Sequence, residues 1–185
     1  GATRPVHDGG EFDLALDVSR YTPPNEIASG AGVVQPAQPR DRDELEAFFG
    51  APAFLQVGAT SSTAFPDDLA LAREIAFGGR ISDLMLLFTA RGVEGVCHLI
   101  FADSAVPIDL AYPYTLPKPW GAIGMLAATE KIGSGGMEML LDAAIRRLHN
   151  NGINSCVALG VSATGLYERF GFVQHRQWRQ RTRLL

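Results

Sequence analysis

The sequence holds only two cysteines, Cys97 and Cys156, in 185 residues. That is too few for a disulfide framework, and their spacing matches no zinc site. Both lie inside apolar runs, the setting of buried thiols in a reducing compartment. Long hydrophobic stretches are missing too: none reaches the roughly 18 apolar residues that a membrane helix needs, so no membrane partner is expected. Positive charge is in deficit, with 16 Lys and Arg against 20 Asp and Glu for a net charge of −4. Nucleic acid is therefore not expected as a partner, because phosphate-driven affinity needs a basic face. Glycine and proline, at 20 and 11 residues, stay below the level of a low-complexity chain. Gly1 to Gly10 show no charged-then-apolar secretory layout, and the expected location is cytoplasmic.

What remains is a chain that is 46% hydrophobic and 19% charged, enough for one ordinary domain with a real core. Residues 1–30 read as a loosely attached N-terminal arm. Within it Phe12 to Val18 alternates like an edge strand and is broken by Tyr21-Thr-Pro-Pro-Asn25. Residues 31–185 read as a mixed α/β domain. A short strand follows Gly32. Asp41 is then placed to cap a helix, with Glu44 three residues on and Leu45, Phe48 and Phe49 forming its apolar stripe up to Gly50. Residues 51–66 have no clear period. A second helix is expected over 67–77, on Leu69, Ala72, Ile75 and Ala76.

Strands are expected over 83–90 and 96–102, joined by the glycine-bearing hairpin loop Arg91–Gly95. The segment 103–119 is punctuated by prolines and carries Tyr112 and Tyr114, the character of a loop beside a cleft. Trp120 to Ala128 reads as an apolar strand. A turn of small residues follows, and a helix begins at Met137 with Leu140, Leu141, Ala144 and Leu148 on one face. A strand over 155–161, a short helix over 163–170 and a closing strand from 172 complete the chain. Arg169, Arg176, Arg179, Arg181 and Arg183 crowd its end. They suit a solvated edge strand or a site for an anion.

The glycine turn carries chemistry. Gly133, Gly135 and Gly136 let the backbone approach a ligand closely. A helix starting there turns free N–H groups and a positive dipole end toward the same spot, which suits phosphate. No Gly-Lys-Ser/Thr follows, so this is not a nucleotide P-loop. The run Thr129-Glu-Lys-Ile-Gly-Ser-Gly-Gly-Met-Glu-Met-Leu-Leu141, followed by Leu166-Tyr-Glu-Arg-Phe-Gly-Phe172, resembles the signature of the GCN5-related N-acetyltransferase (GNAT) superfamily. Glu130, Gly133, Gly135, Leu140 and Leu141 fall in register with it. The likeness is clear over 120–172.

This resemblance implies a GNAT-like α/β fold, a mixed central sheet flanked by helices. It implies an enzyme that uses acetyl-CoA as co-substrate and transfers the acetyl group to a small-molecule amine by direct attack in a ternary complex. Tyr167 matches the tyrosine that protonates the leaving thiolate. Met125, Leu126 and Ala127 would hold the pantetheine arm by their backbone. Ile132, Gly133, Ser134, Gly135, Gly136 and Met137 would hold the pyrophosphate. Glu130 and His98 are the candidates for the general base, and Asp103, Tyr112 and Tyr114 for the acceptor pocket. No metal is implied, and the hydrophobic closing region permits a homodimer. In this frame Ile132 replaces the usual Arg or Gln and Met137 the last glycine. A frame shifted by one puts Lys131 at the basic position and Gly136 at the last glycine, with Ser134 then replacing the first. The Asn usual near Gly160 to Ser162 is absent. These departures motivate an alternative, a catalytically inactive GNAT-fold module for ligand sensing or protein interaction.

Overall fold

The computed structural model describes residues 11–27, 32–50, 55–57, 73, 77–104, 115–161 and 164–178. Eight strands form one sheet: β1 (Glu11–Asp17), β2 (Val33–Pro36), β3 (Leu55–Val57), β4 (Leu84–Thr89), β5 (Gly92–Ile100), β6 (Trp120–Thr129), β7 (Ser155–Val161) and β8 (Val173–Trp178). Three α-helices lie wholly among the described residues, α1 (Arg42–Gly50), α2 (Gly133–Asn150) and α3 (Gly165–Arg169), and Arg73, Phe77 and Gly78 are helical too. The strand order is β2-β4-β5-β6-β7-β1-β8, with β3 paired to β6 off this path. All pairings are antiparallel except that of β6 with β7. This is the mixed sheet flanked by helices that the sequence led us to expect.

The near-continuous apolar run of β4 marks a strand covered on both faces. Met85 and Leu87 pack with Cys97, Leu99 and the α2 residues Leu140, Leu141, Ala144 and Leu148. Leu84, Leu86 and Val96 face the other way, onto Leu45, Phe48 and Phe49 of α1. The sheet thus lies between α2 and α3 on one side and α1 on the other.

Several boundaries differ from the sequence reading for physical reasons. The hairpin between β4 and β5 is tight, because Gly92 accepts a positive φ of 101° and lets β5 begin at once. Asp41 closes a 3-10 turn (Pro39–Asp41) rather than opening α1 directly, and its carboxylate accepts the Gln38 N–H at 2.8 Å. The helix α2 begins at Gly133, so the small-residue turn is already its first turn. The segment expected as an edge strand of a loose arm is an interior strand. β1 sits between β7 and β8 (Leu16 opposite Cys156, Ala15 opposite Val173), with Leu14 and Val18 fully buried. Its alternation reflects a strand whose inward residues complete the α2-side core. Most of the second helix expected over 67–77, the acceptor-loop tyrosines Tyr112 and Tyr114, and Arg179, Arg181 and Arg183 lie outside the described residues.

Candidate acyl-donor site at the divergence of β6 and β7

The parallel pairing of β6 with β7 covers only Trp120–Ile123 opposite Ser155–Ala158. Beyond it β6 runs on to Thr129 and β7 to Val161, while β1 pairs with the other edge of β7 from Ser155 to Val161. Two neighbouring parallel strands that stop pairing open a wedge between their backbones. On the β5 side the register of β6 also slips: His98 faces Met125 while Leu99 faces Ile123. Gly124 is the extra residue of this bulge, and it is exposed. Bulges re-aim backbone groups, and this one presents them beside His98. A Cβ on Gly124 would stand 3.2 Å from His98 Nδ1.

The cradle lies at the far end of β6. The Thr129 carbonyl accepts the Ile132 N–H at 3.1 Å, closing the turn into α2. Gly133 has a φ of 62°, a left-handed conformation that favours glycine. No side chain caps this helix start and no acid lies in its first turn. The first N–H groups of an α-helix lack partners within it, and here they meet a positive dipole end. Among the described residues, Thr129 Oγ1 is the one buried side-chain polar atom without a hydrogen-bond partner. The geometry suits an anion with several oxygens. Ile132 does not reach into it: its side chain folds back over Gly136 and packs against the α2-side core. Lys131 is near enough to act on Glu94. Against the opposing effect of burial, hydrogen bonds from Arg91 and Thr89 and the charge of Lys131 hold that carboxyl below the usual glutamate range.

Tyr167 sits on α3 and packs edge-on against Phe172, with ring centroids 5.4 Å apart. The backbone fixes it locally, since its carbonyl accepts the N–H groups of Phe170 and Phe172. Burial, aided by the thiols of Cys97 and Cys156, pushes its phenol well above the ordinary tyrosine range. Its proton is therefore held throughout the physiological range. His98 lies on the opposite face of the sheet, sharing its side with Val96 by strand alternation. It is nearly buried, and desolvation lowers its pKa, partly offset by Asp83. A neutral imidazole is a competent proton acceptor near pH 7. Glu130 is exposed in the turn after β6.

Asp103 takes a bidentate grip from Arg80 at 2.9 and 3.1 Å. Arg169, which the sequence grouped with the basic residues of a solvated edge or an anion site, is instead ion-paired with the nearly buried Glu138 of α2 and donates to the Glu26 carbonyl. This ties α3, and with it Tyr167, to α2. The signal was present in the Tyr-Glu-Arg run, but its partner lies 31 positions away in sequence. Among the described residues no cluster of three or more His, Cys, Asp or Glu is placed to hold a metal. None of the described helices is long and apolar enough to cross a membrane.

No family model matches the chain, and no curated protein does. Solved structures do. A region of a fungal multi-domain GH3 β-N-acetylglucosaminidase, described as a GCN5-related glucosamine N-acetyltransferase region, aligns at 17% identity over 92% of this chain, with a TM-score of 0.73. A GCN5-related N-acetyltransferase from Sphaerobacter thermophilus aligns at 13% identity over 91% of the chain, with a TM-score of 0.54. A Trypanosoma brucei acetyltransferase aligns at 14% identity over 83% of this chain and 99% of its own length, with a TM-score of 0.50. The chain spans 20% of the fungal protein and 49% of the Sphaerobacter one. Two independent lines, the motifs over 120–172 and these superpositions, converge on one architecture. The chain has the GNAT fold.

Proposed function

We propose that this protein is an acyl-CoA-dependent N-acetyltransferase acting on a small amine. The observation that carries the reading is the wedge between β6 and β7 opening beside the uncapped, glycine-rich start of α2. The cradle suits a pyrophosphate, because the start of α2 has no side-chain cap and no acid in its first turn. In this reading the first turn of α2, Gly133 to Met137, orients the donor's phosphates. The edge of β6 that β7 leaves, at Met125, Leu126 and Ala127, aligns its pantetheine arm. Acetyl-CoA, when bound, supplies an activated acyl thioester.

The acceptor amine attacks the thioester carbonyl, and the C–S bond breaks as the C–N bond forms. In this reading backbone N–H groups at the Gly124 bulge stabilise the oxyanion. Tyr167 keeps its proton and donates it, or a hydrogen bond, to the departing sulfur. His98 is the stronger candidate for taking the amine's proton, being neutral and adjacent to the bulge, while Glu130 stands in solvent. The fungal neighbour's description names glucosamine, so amino sugars head the acceptor screen.

Calorimetric titration with acetyl-CoA, with plain CoA as control, tests the reading, followed by thiol release in the presence of glucosamine and other amines. Saturable micromolar binding and acceptor-dependent release are expected. Tyr167→Phe should lower kcat about 10²-fold or more, the lower end for a lost proton donor, and leave CoA affinity nearly unchanged. Absence of binding at millimolar donor would overturn the reading. A second reading, a sensing or interaction module without transfer, is favoured by Ile132, whose packing offers no cation to the pyrophosphate. CoA binding without thiol release to any amine would select it.

A further inference from the structure

The wedge is already partly filled by the chain itself. β5 holds one edge of β6, with Gly95 opposite Ala128 and Val96 opposite Ala127. On the other edge, the one that β7 has left, β3 pairs antiparallel: Leu55 opposite Thr129, Gln56 opposite Ala128 and Val57 opposite Ala127. Between the β7-paired and β3-paired stretches, Gly124, Met125 and Leu126 have no strand on that edge among the described residues. The open stretch of β6 is therefore short, and the backbone groups next to the phosphate cradle are in use.

We infer that β3 is an internal occupant of the donor groove, competing with the pantetheine arm for the β6 edge at Ala127–Thr129 and displaced when acyl-CoA binds. This rests on the acyl-CoA reading above. Pantetheine is an extended chain with two amides, and such a chain docks on a free strand edge by the same hydrogen bonds that another strand makes. The groups that β3 engages cannot serve both. β3 spans only Leu55–Val57, and each backbone hydrogen bond contributes little net stability, so its hold is reversible. A donor that binds only the β3-released form has its apparent affinity reduced by the fraction of chains in that form. β3 thus sets a threshold on donor concentration and keeps the groove covered when donor is scarce.

Two experiments decide this. In an antiparallel pair alternate residues direct their N–H groups to the partner strand. Gln56→Pro together with Val57→Pro therefore removes an inward donor whichever of the two supplies it. The double variant should bind CoA on the order of tenfold more tightly than the unmodified chain, the equivalent of one or two backbone hydrogen bonds. Hydrogen exchange on the unmodified chain needs no substitution. Saturating CoA should accelerate exchange of the amides of Leu55–Val57 while those of α2's first turn slow. If CoA binds and exchange at Leu55–Val57 is unchanged or slower, β3 is not displaced and the inference fails, with the acyl-CoA reading intact. If neither protein binds CoA, the reading itself falls and the inference with it. Should the double variant fail to fold, the exchange measurement decides alone.

Discussion

The side chain of Ile132 closes over the α-carbon of Gly136 and leaves no room for a β-carbon there. Ile132 is therefore a packing element of the helix start, and the glycine beneath it is its complement. Gly136→Ala should destabilise the fold by about 1–3 kcal/mol, the usual cost of overpacking. In an Ile132→Ala background the same change should cost much less, because the obstructing methyl is gone. Denaturant unfolding of the four proteins of this cycle checks the coupling. Additive effects would refute the contact.

Alkaline pH should weaken the fold before tyrosine ionisation begins. Burial pushes the Cys97 thiol up to about 12 and raises that of Cys156 as well. An unfolded chain releases these protons near pH 8.5 while the native chain retains them. The unfolded state then binds fewer protons, so stability falls as pH rises, by at most about 1.4 kcal/mol per pH unit for each thiol. The loss starts near pH 8.5 and, for Cys97, continues toward its native value. Tyr21 and Tyr167, also raised by burial, add to the slope only above about pH 10. Urea unfolding at pH 7, 9 and 10 measures this, and Cys97→Ala with Cys156→Ala should flatten the curve between 8.5 and 10. An unchanged slope in that double variant would assign it elsewhere.

Leu14→Ala should cost about 2–5 kcal/mol, the range for a buried leucine, since Leu14 is fully enclosed between two strands and the α2-side core. A residue of a detachable arm would cost almost nothing. Thermal or urea unfolding separates these outcomes, and a loss below about 0.5 kcal/mol, the ordinary surface range, would restore the arm.

The parts of the fold visible in the sequence are those whose reasons are local. The stripe of Met137, Leu140, Leu141, Ala144 and Leu148 announced α2, and the apolar run Ser155–Val161 became β7 unchanged. The glycine turn and the Tyr167 segment stood out because short motifs carried them, and they fold as the first turn of α2 and as part of α3. What the sequence concealed depends on partners distant in the chain. β1 has the alternation of an edge strand, and only its two neighbours make it interior. β3 has too few residues to show a period, and its existence rests on the edge that β7 leaves free. The pair Arg169–Glu138 is equally invisible, since neither charge alone differs from a solvated one.

The position of β1 also governs how the molecule comes into being. It is the first strand of the described sheet to leave the ribosome, yet both its partners, β7 and β8, are the last two. Contacts of such sequence separation slow folding. Until they form, β1 is an apolar strand with two unsatisfied edges, the kind of segment that draws chaperones or aggregates. Refolding from denaturant, with the whole chain present from the start, spares β1 that wait; synthesis imposes it.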